Sequence, residues 1–440
     1  MSFYDIAYAT GLMLAAPYWL IIPKARRKVL GALRQRMGKS AADSRPDGVP
    51  FPSIMIHAVS VGELNATPAL ISALARTRPE LHFVISTTTN TGTDRARELF
   101  GTDPRITLIR FPLDFSFAVR RALDEHHPTV VALMELEVWP NFIAECKRRN
   151  IPVLIVNGRL TPNSFRGYRR LRPLTRGMFQ SLAYVGAQDQ TYATRFIQVG
   201  TPPDRVFVTG TMKFDTAQIG DRVDGDEELA RALGLSPGNE AIWVCGSTGP
   251  GEEAIILQSY RTLCARHPGL RLAIIPRHDH RFDEVAAQIV ATGVGLVRRS
   301  QAGAATSADQ VILGDTMGEL RKFYSLADVV FVGRSLVDLG PRQHGSDMIE
   351  PAALGKAVVV GPFTHNFTDA MHQFLAADAI RVVQDAAGLT ATIDALLGNP
   401  PQRAQIGRRA RDAVQRGQGA TAKNLAIILR ELDRALSRPR

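Results

Sequence analysis

SIMIHAVSVGELNATP, residues 53–68, is the stretch on which the fold turns. A short run of apolar residues breaks into serine, glycine and glutamate. Thr67 and Pro68 then fit the cap and first residue of a helix. Strand, polar turn and helix in that order are the opening of a parallel α/β sheet. The same phrase repeats downstream as HFVISTTT (82–89), ITLIRFP (106–112), TVVALME (129–135), PVLIVNGR (152–159), YVGAQD (184–189) and VFVTG (206–210). After residues 219–240, a polar and Gly/Pro-rich stretch, it resumes with AIWVCGST (241–248), RLAIIPRH (271–278), QVILGD (310–315), DVVFVG (328–333), AVVVG (357–361) and IRVV (380–383). The 440 residues exceed one ordinary core, so two Rossmann-like domains are expected. The boundaries read as 41–218 for the first, 219–240 for a linker, 241–400 for the second and 401–440 for a C-terminal helical segment.

Composition agrees with a globular chain, at 45% hydrophobic and 22% charged residues, and excludes both disorder and a polytopic membrane protein. Lys plus Arg outnumber Asp plus Glu by 53 to 42, a formal charge of +11. Such a surface attracts polyanions without choosing among nucleic acid, anionic lipid and phosphorylated substrates. Cys146, Cys245 and Cys264 show no metal-ligand spacing and read as core thiols of a reducing compartment.

Residues 6–22 carry no charge, and Lys24, Arg26, Arg27, Lys28, Arg34, Arg36 and Lys39 follow. Residues 1–40 are therefore expected to form a membrane anchor with a basic flank. At about 1.5 Å per residue the apolar stretch reaches roughly 26 Å, against about 30 Å for a hydrocarbon core. Spanning and lying in the interface both stay open. The flank belongs on the cytoplasmic side, and its place after the apolar stretch argues against a secretory signal.

In open α/β sheets ligands gather at the carboxyl ends of strands, so the chemistry is sought there. Glu63 follows the first strand and could remove a proton from a hydroxyl or simply complement a helix dipole. Glu135 and Glu137, two apart at a strand end, are expected on one side; a salt-bridged strand end is the alternative. Asn157 and Arg159 close the next strand, and Lys213 in VTGTMKFD could place a point charge on a phosphate. In the second half, backbone amides around Gly246, Ser247 and Thr248 suit an anion. Arg277 could fork onto a phosphate, and Glu350 could accept from ribose hydroxyls. His278, Asp279 and His280 point apart on an extended segment, and neither DxD nor HExxH occurs, so no metal is expected. Dinucleotide and P-loop chemistry lack their GxGxxG and GxxxxGK[ST] signatures.

Taken in order, SVGE (60–63), ELEVWPN (135–141), NGRL (157–160), TGTMKFD (209–215), GSTGPGEE (246–253), PRH (276–278), GDTMGEL (314–320) and EPAALGK (350–356) resemble the transferases of 3-deoxy-D-manno-octulosonic acid (Kdo) in lipopolysaccharide synthesis. The likeness spans nearly the whole chain. It implies an α/β GT-B fold, two Rossmann-like domains facing a cleft, with an N-terminal membrane-associated helix. It also implies an inverting transfer of Kdo from CMP-Kdo to a lipid A precursor of the lipid IVA type, at the cytoplasmic face of the inner membrane. Partners would be CMP-Kdo, the lipid A precursor and an anionic lipid surface, with no nucleic acid, cofactor or metal. By motif, Glu63 matches the family's proton acceptor, and Glu135 and Lys213 its proposed transition-state stabilisers. Pro276, Arg277, Met317, Gly318, Glu319 and the stretch Asp347, Met348, Ile349 and Glu350 match the CMP-binding positions.

One segment departs from that pattern. Where the family reads close to GGSLVxxGGHNPLEPA, this chain has GRSLVDLGPRQHGSDMIEPA (333–352). Arg334 replaces a glycine, Asp347 stands for an asparagine, and His344 is the candidate substitute for the family's histidine. A transferase with another nucleotide sugar, such as a UDP-hexosamine, and a binding protein without catalysis are the competing readings.

Overall fold

The computed structural model describes residues 2, 4–11, 13, 33, 36, 37, 52–301, 310–340 and 343–438. The chain forms two compact units, Met1–Thr216 with Gln418–Arg440, and Ala217–Gly417.

The first unit holds strands β1 (Ser53–His57), β2 (His82–Thr87), β3 (Ile106–Arg110), β4 (Val130–Met134), β5 (Val153–Gly158), β6 (Tyr184–Ala187) and β7 (Val206–Val208). They lie in one parallel sheet ordered β3-β2-β1-β4-β5-β6-β7. Alternation explains why the middle of β1, Ile54–Ile56, is apolar without a break. Ile54 and Ile56 enter the core on one face of the sheet, Met55 enters the core on the other, and no face is left for water. The second unit repeats the plan with β8 (Ile242–Thr248), β9 (Arg271–Pro276), β10 (Gly295–Arg298), β11 (Gln310–Leu313), β12 (Val329–Val332), β13 (Ala357–Val360) and β14 (Ile380–Val382). The order there is β10-β11-β9-β8-β12-β13-β14. Strand β11 inserts between β9 and β10, a crossover that hydropathy alone does not encode.

The observed divisions differ from those read off composition. The chain passes between units after Thr216, and residues 219–240 are not a free linker. Asp226–Ala232 is a helix, and its buried Asp226 accepts from Arg222 Nε and Nη2 at 2.9 Å and from Ser325 Oγ at 2.6 Å. The 401–440 stretch is two helices in different units. Pro400–Gly417 stays with the second, whereas Ala420–Leu436 returns to the first, where Ala420, Ile428 and Leu432 enter its core. Asp215 caps that returning helix by accepting from Gly419 N at 2.6 Å and from Thr421 N. All three cysteines are free, and Cys264 is only half-buried.

Residues 4–11 and 13 are helical. The rest of the expected anchor, residues 12 and 14–22, and most of its basic flank lie outside the described residues. Among the described residues no helix is long and apolar enough to cross a membrane.

Candidate active site

Each sheet has a point where successive crossovers run to opposite edges, and at that point the carboxyl ends of two adjacent strands splay to leave a ligand crevice. In the first sheet it lies between β1 and β4, in the second between β8 and β12. Seven described non-glycine residues have positive φ. Four of them, Glu135 (φ 55°), Asn157 (55°), Ser247 (55°) and Arg334 (57°), sit at or just beyond the ends of β4, β5, β8 and β12. Left-handed backbone costs a side-chain-bearing residue of order 1 kcal/mol or more and gathers where geometry serves function.

Glu63 lies in the short helix Val61–Asn65, directly beyond β1. Its neighbours form a capping box: Ser60 Oγ accepts from Glu63 N at 3.3 Å and donates to Glu63 Oε1 at 2.8 Å, while Val59 N donates to Oε2 at 2.9 Å. A carboxylate has about four acceptor positions, so these two bonds leave room for a hydroxyl. Burial pushes the Glu63 carboxyl up to about 7, and the charge of Glu135 and, more weakly, Glu137 adds to the rise against the two hydrogen bonds. Three carboxylates therefore act on one another at the first switch point.

Glu135 and Glu137 lie past the end of β4, and the positive φ of Glu135 breaks strand alternation, so the shared side expected from their spacing does not follow from a pleat. Glu135 N donates to Val156 O at 3.0 Å, and its carbonyl accepts from Arg159 N at 3.3 Å. Trp139 Nε1 donates to Glu137 Oε2 at 3.0 Å, yet burial still holds Glu137 above the usual carboxylate range. Buried Asn157 turns its Oδ1 to Met212 N at 3.0 Å, which ties β5 to the loop carrying half-buried Lys213.

In the second unit, Arg277 follows β9 on the surface, its N–H donating to Thr248 O at 3.1 Å. The half-buried Arg334 guanidinium is held below its ordinary range by burial and by the Arg277 charge. Two cations thus stand together beyond β8, β9 and β12. Met317 is 68% exposed and Gly318 takes φ 84°. Glu319 is already engaged, accepting from Arg299 Nε at 2.9 Å and Thr316 Oγ1 at 2.6 Å; these bonds outweigh burial and keep it below its usual range. Asp347 accepts from Ile349 N at 2.8 Å. Glu350 opens the helix Ile349–Ala353, and burial, helped by Asp347, lifts its carboxyl to about 7. Met348 and Ile349 do not present side chains as the motif suggests: both are core residues, leaving main-chain atoms for any ligand. Buried Pro276 ends β9. His344 is buried between His365 Nδ1 at 2.8 Å and Asp338 Oδ1 at 2.7 Å.

Sequence reading passed over two residues here. Glu252 is fully buried, with Oε2 accepting from Gly249 N (2.8 Å) and Arg334 N (2.6 Å) and Oε1 from Ser335 N and Leu336 N (2.9 Å each). An acid in the first turn of the helix Glu252–Cys264 was its only visible signal. His365, some twenty residues beyond His344, gave none.

Residues 31–216 match the family model described as 3-deoxy-D-manno-octulosonic-acid transferase (kdotransferase). The chain is 33% identical over 426 residues to the 3-deoxy-D-manno-octulosonic acid transferase of Bordetella pertussis, covering 94% of this chain and 96% of that one. The chain belongs to the Kdo transferase family. It is also 32% identical to the Haemophilus influenzae transferase, over 88% of each chain. Among solved structures, Acinetobacter baumannii MurG is similar with a TM-score of 0.55 at 15% identity, over 87% of this chain and 100% of that one. A glycosyltransferase of Rickettsia africae gives 0.55 at 13%, over 89% and 100%. At such identities the likeness concerns the fold, which is the two-unit α/β plan of the GT-B class. Family and fold together make this Kdo transferase relative a glycosyltransferase.

Proposed function

We infer that the chain transfers Kdo from CMP-Kdo to a hydroxyl of a lipid A precursor of the lipid IVA type, with inversion at the anomeric carbon and Glu63 as general base. The observation that carries this reading is the state of Glu63: a half-buried carboxylate with unused acceptor positions and a pKa of about 7, matched to proton removal near neutrality. The acceptor O–H proton passes to a Glu63 carboxylate oxygen as the hydroxyl oxygen bonds to the anomeric carbon. The bond from that carbon to the phosphate oxygen breaks, and its electron pair leaves with CMP.

Charge then grows on the phosphate, and fixed cations that meet it lower the barrier by several kcal/mol where water is excluded. Arg277 and Lys213 take that role in this reading, with Glu135 as a further stabiliser of the transition state. Pro276 and the Met317–Glu319 loop form the nucleotide wall. Asp347 and the main chain of Met348 and Ile349 continue it, and Glu350 accepts from the ribose. The apolar N-terminus and the basic residues after it hold the enzyme at the cytoplasmic face of the inner membrane, against anionic lipid.

The test is release of CMP from CMP-Kdo, with and without a lipid IVA-type acceptor, in wild type and Glu63→Gln. Acceptor-dependent release that disappears in the variant is expected. Turnover with a UDP-hexosamine in place of CMP-Kdo, or a fully active variant, would overturn the reading.

A further inference from the structure

The first unit contains a cavity of about 310 Å³ that the transfer chemistry above leaves unused. Tyr8 and Gly11 of the N-terminal helical turns, Arg36, Thr88, the Phe111–Phe115 segment beyond β3, and Trp139 line it. Its polar scaffolding is satisfied by its own members. Asp5 accepts from Ser116 N (2.8 Å), Ser116 Oγ (2.6 Å) and Asn141 Nδ2 (3.1 Å), and Asp114 accepts from Asn141 N (3.0 Å) and Phe142 N (2.8 Å). Phe111 stacks on buried His57 at 3.9 Å, and the Tyr8 ring meets Phe115 edge-on at 6.1 Å. The walls are thus preformed and chiefly aromatic and aliphatic, the character of a site that takes an apolar ligand with few polar contacts.

Two features point to the occupant. Among the described residues Arg36 has no carboxylate partner: its Nε donates to Phe111 O at 3.2 Å, and no other described residue bonds its guanidinium. The cavity also adjoins the candidate base within the same unit. Trp139, on its wall, donates to Glu137. Thr88, also on its wall, precedes Thr89, whose Oγ1 donates to Val59 O at 3.2 Å, and Val59 N is the donor to Glu63. A ligand that is apolar, carries an anion and reaches the base is a phosphorylated glycolipid. An apolar cavity of roughly 150 Å³ takes benzene, six carbons, so one of about 310 Å³ holds on the order of ten carbons of one chain.

We propose that this cavity takes one acyl chain of the glycolipid acceptor, with the Arg36 guanidinium on an anionic group near the root of that chain. The assignment rests on the lipid-acceptor reading above and adds where the lipid is gripped. Leu113→Trp, which fills the cavity, is compared with wild type on a fully acylated phosphorylated glucosamine disaccharide and on the same disaccharide with its acyl chains removed. Gly11→Leu is the second variant. A Cβ at Gly11 meets no described residue within 4 Å, so it reports even if Leu113→Trp does not fold. The ratio of kcat/KM for the acylated to the deacylated acceptor should fall at least tenfold in each folded variant. An unchanged ratio, or equal losses on both acceptors, sinks the acyl site while leaving the transferase reading intact. Wild type that releases CMP with neither acceptor overturns the transferase reading instead.

Discussion

Glu63 and Glu252 hold corresponding places in the two halves of the molecule. Each follows the first strand of its sheet, β1 or β8, in the opening turn of the next helix, and burial lifts the carboxyl of both. Their fates differ through the hydrogen bonds they receive. Glu252 accepts four main-chain N–H groups, which spends every acceptor position and fastens residues 334–336 to the turn at Gly249. Glu63 accepts two bonds and shares its surroundings with two further acids. The first is a strut and the second can take a proton. Position in the fold nominates both; the count of remaining acceptor positions separates them.

The largest test of that separation is Glu63→Gln. The amide keeps the shape of the side chain and cannot accept a proton, so kcat for Kdo transfer should fall by about 10²- to 10⁴-fold, with thermal unfolding changed little. Full activity in this variant would dissolve the contrast. Glu252→Gln should do the reverse. An NH2 group turned toward two main-chain donors leaves them unpaired in the core, at about 1–3 kcal/mol each, so the second unit should lose about 2 to 6 kcal/mol in chemical denaturation. A melting curve like that of wild type would show that Glu252 is no strut.

How much of this was legible follows from what sequence encodes. β1 announced itself because both its faces are buried, Ile54 and Ile56 on one side and Met55 on the other, and Glu63 could be picked out as the acid just beyond it. The amphipathic pattern of Ala420–Leu436 says that one face is buried and is silent on which unit receives it. Three of the four amides that hold Glu252 come from a loop some eighty residues downstream. The positive φ of Glu135, Asn157, Ser247 and Arg334 has no residue code either, since glycine, the usual marker of that conformation, is absent at all four. Arg334 stood out only against the family's glycine, and its nearness to Arg277 is a tertiary fact.

A subtler comparison lies within the first site, where like charge and burial raise the Glu63 pKa and hydrogen bonds restrain it. The ascending limb of kcat/KM against pH should fall near 7, because the base works only when ionised. Glu135→Gln removes the nearer like charge, so ionisation becomes easier and the limb should move to lower pH. The variant's own loss of rate does not obscure that displacement, since the limb is read from the shape of the profile. A limb that stays in place would remove Glu135 from the electrostatics of the base.

Ser60→Ala should give the smallest effect and one of opposite sign. The hydroxyl both caps the helix and donates to Glu63. Loss of the cap costs about 1 kcal/mol of stability, visible as a small drop in melting temperature. Loss of the donated bond destabilises the ionised carboxylate, so the Glu63 pKa rises and the limb moves to higher pH. A structural role alone would lower stability and leave the profile where it was. Opposite displacements in Glu135→Gln and Ser60→Ala would identify the titrating group as Glu63, because among the acids at this switch point it alone is lifted by Glu135 and bonded by Ser60.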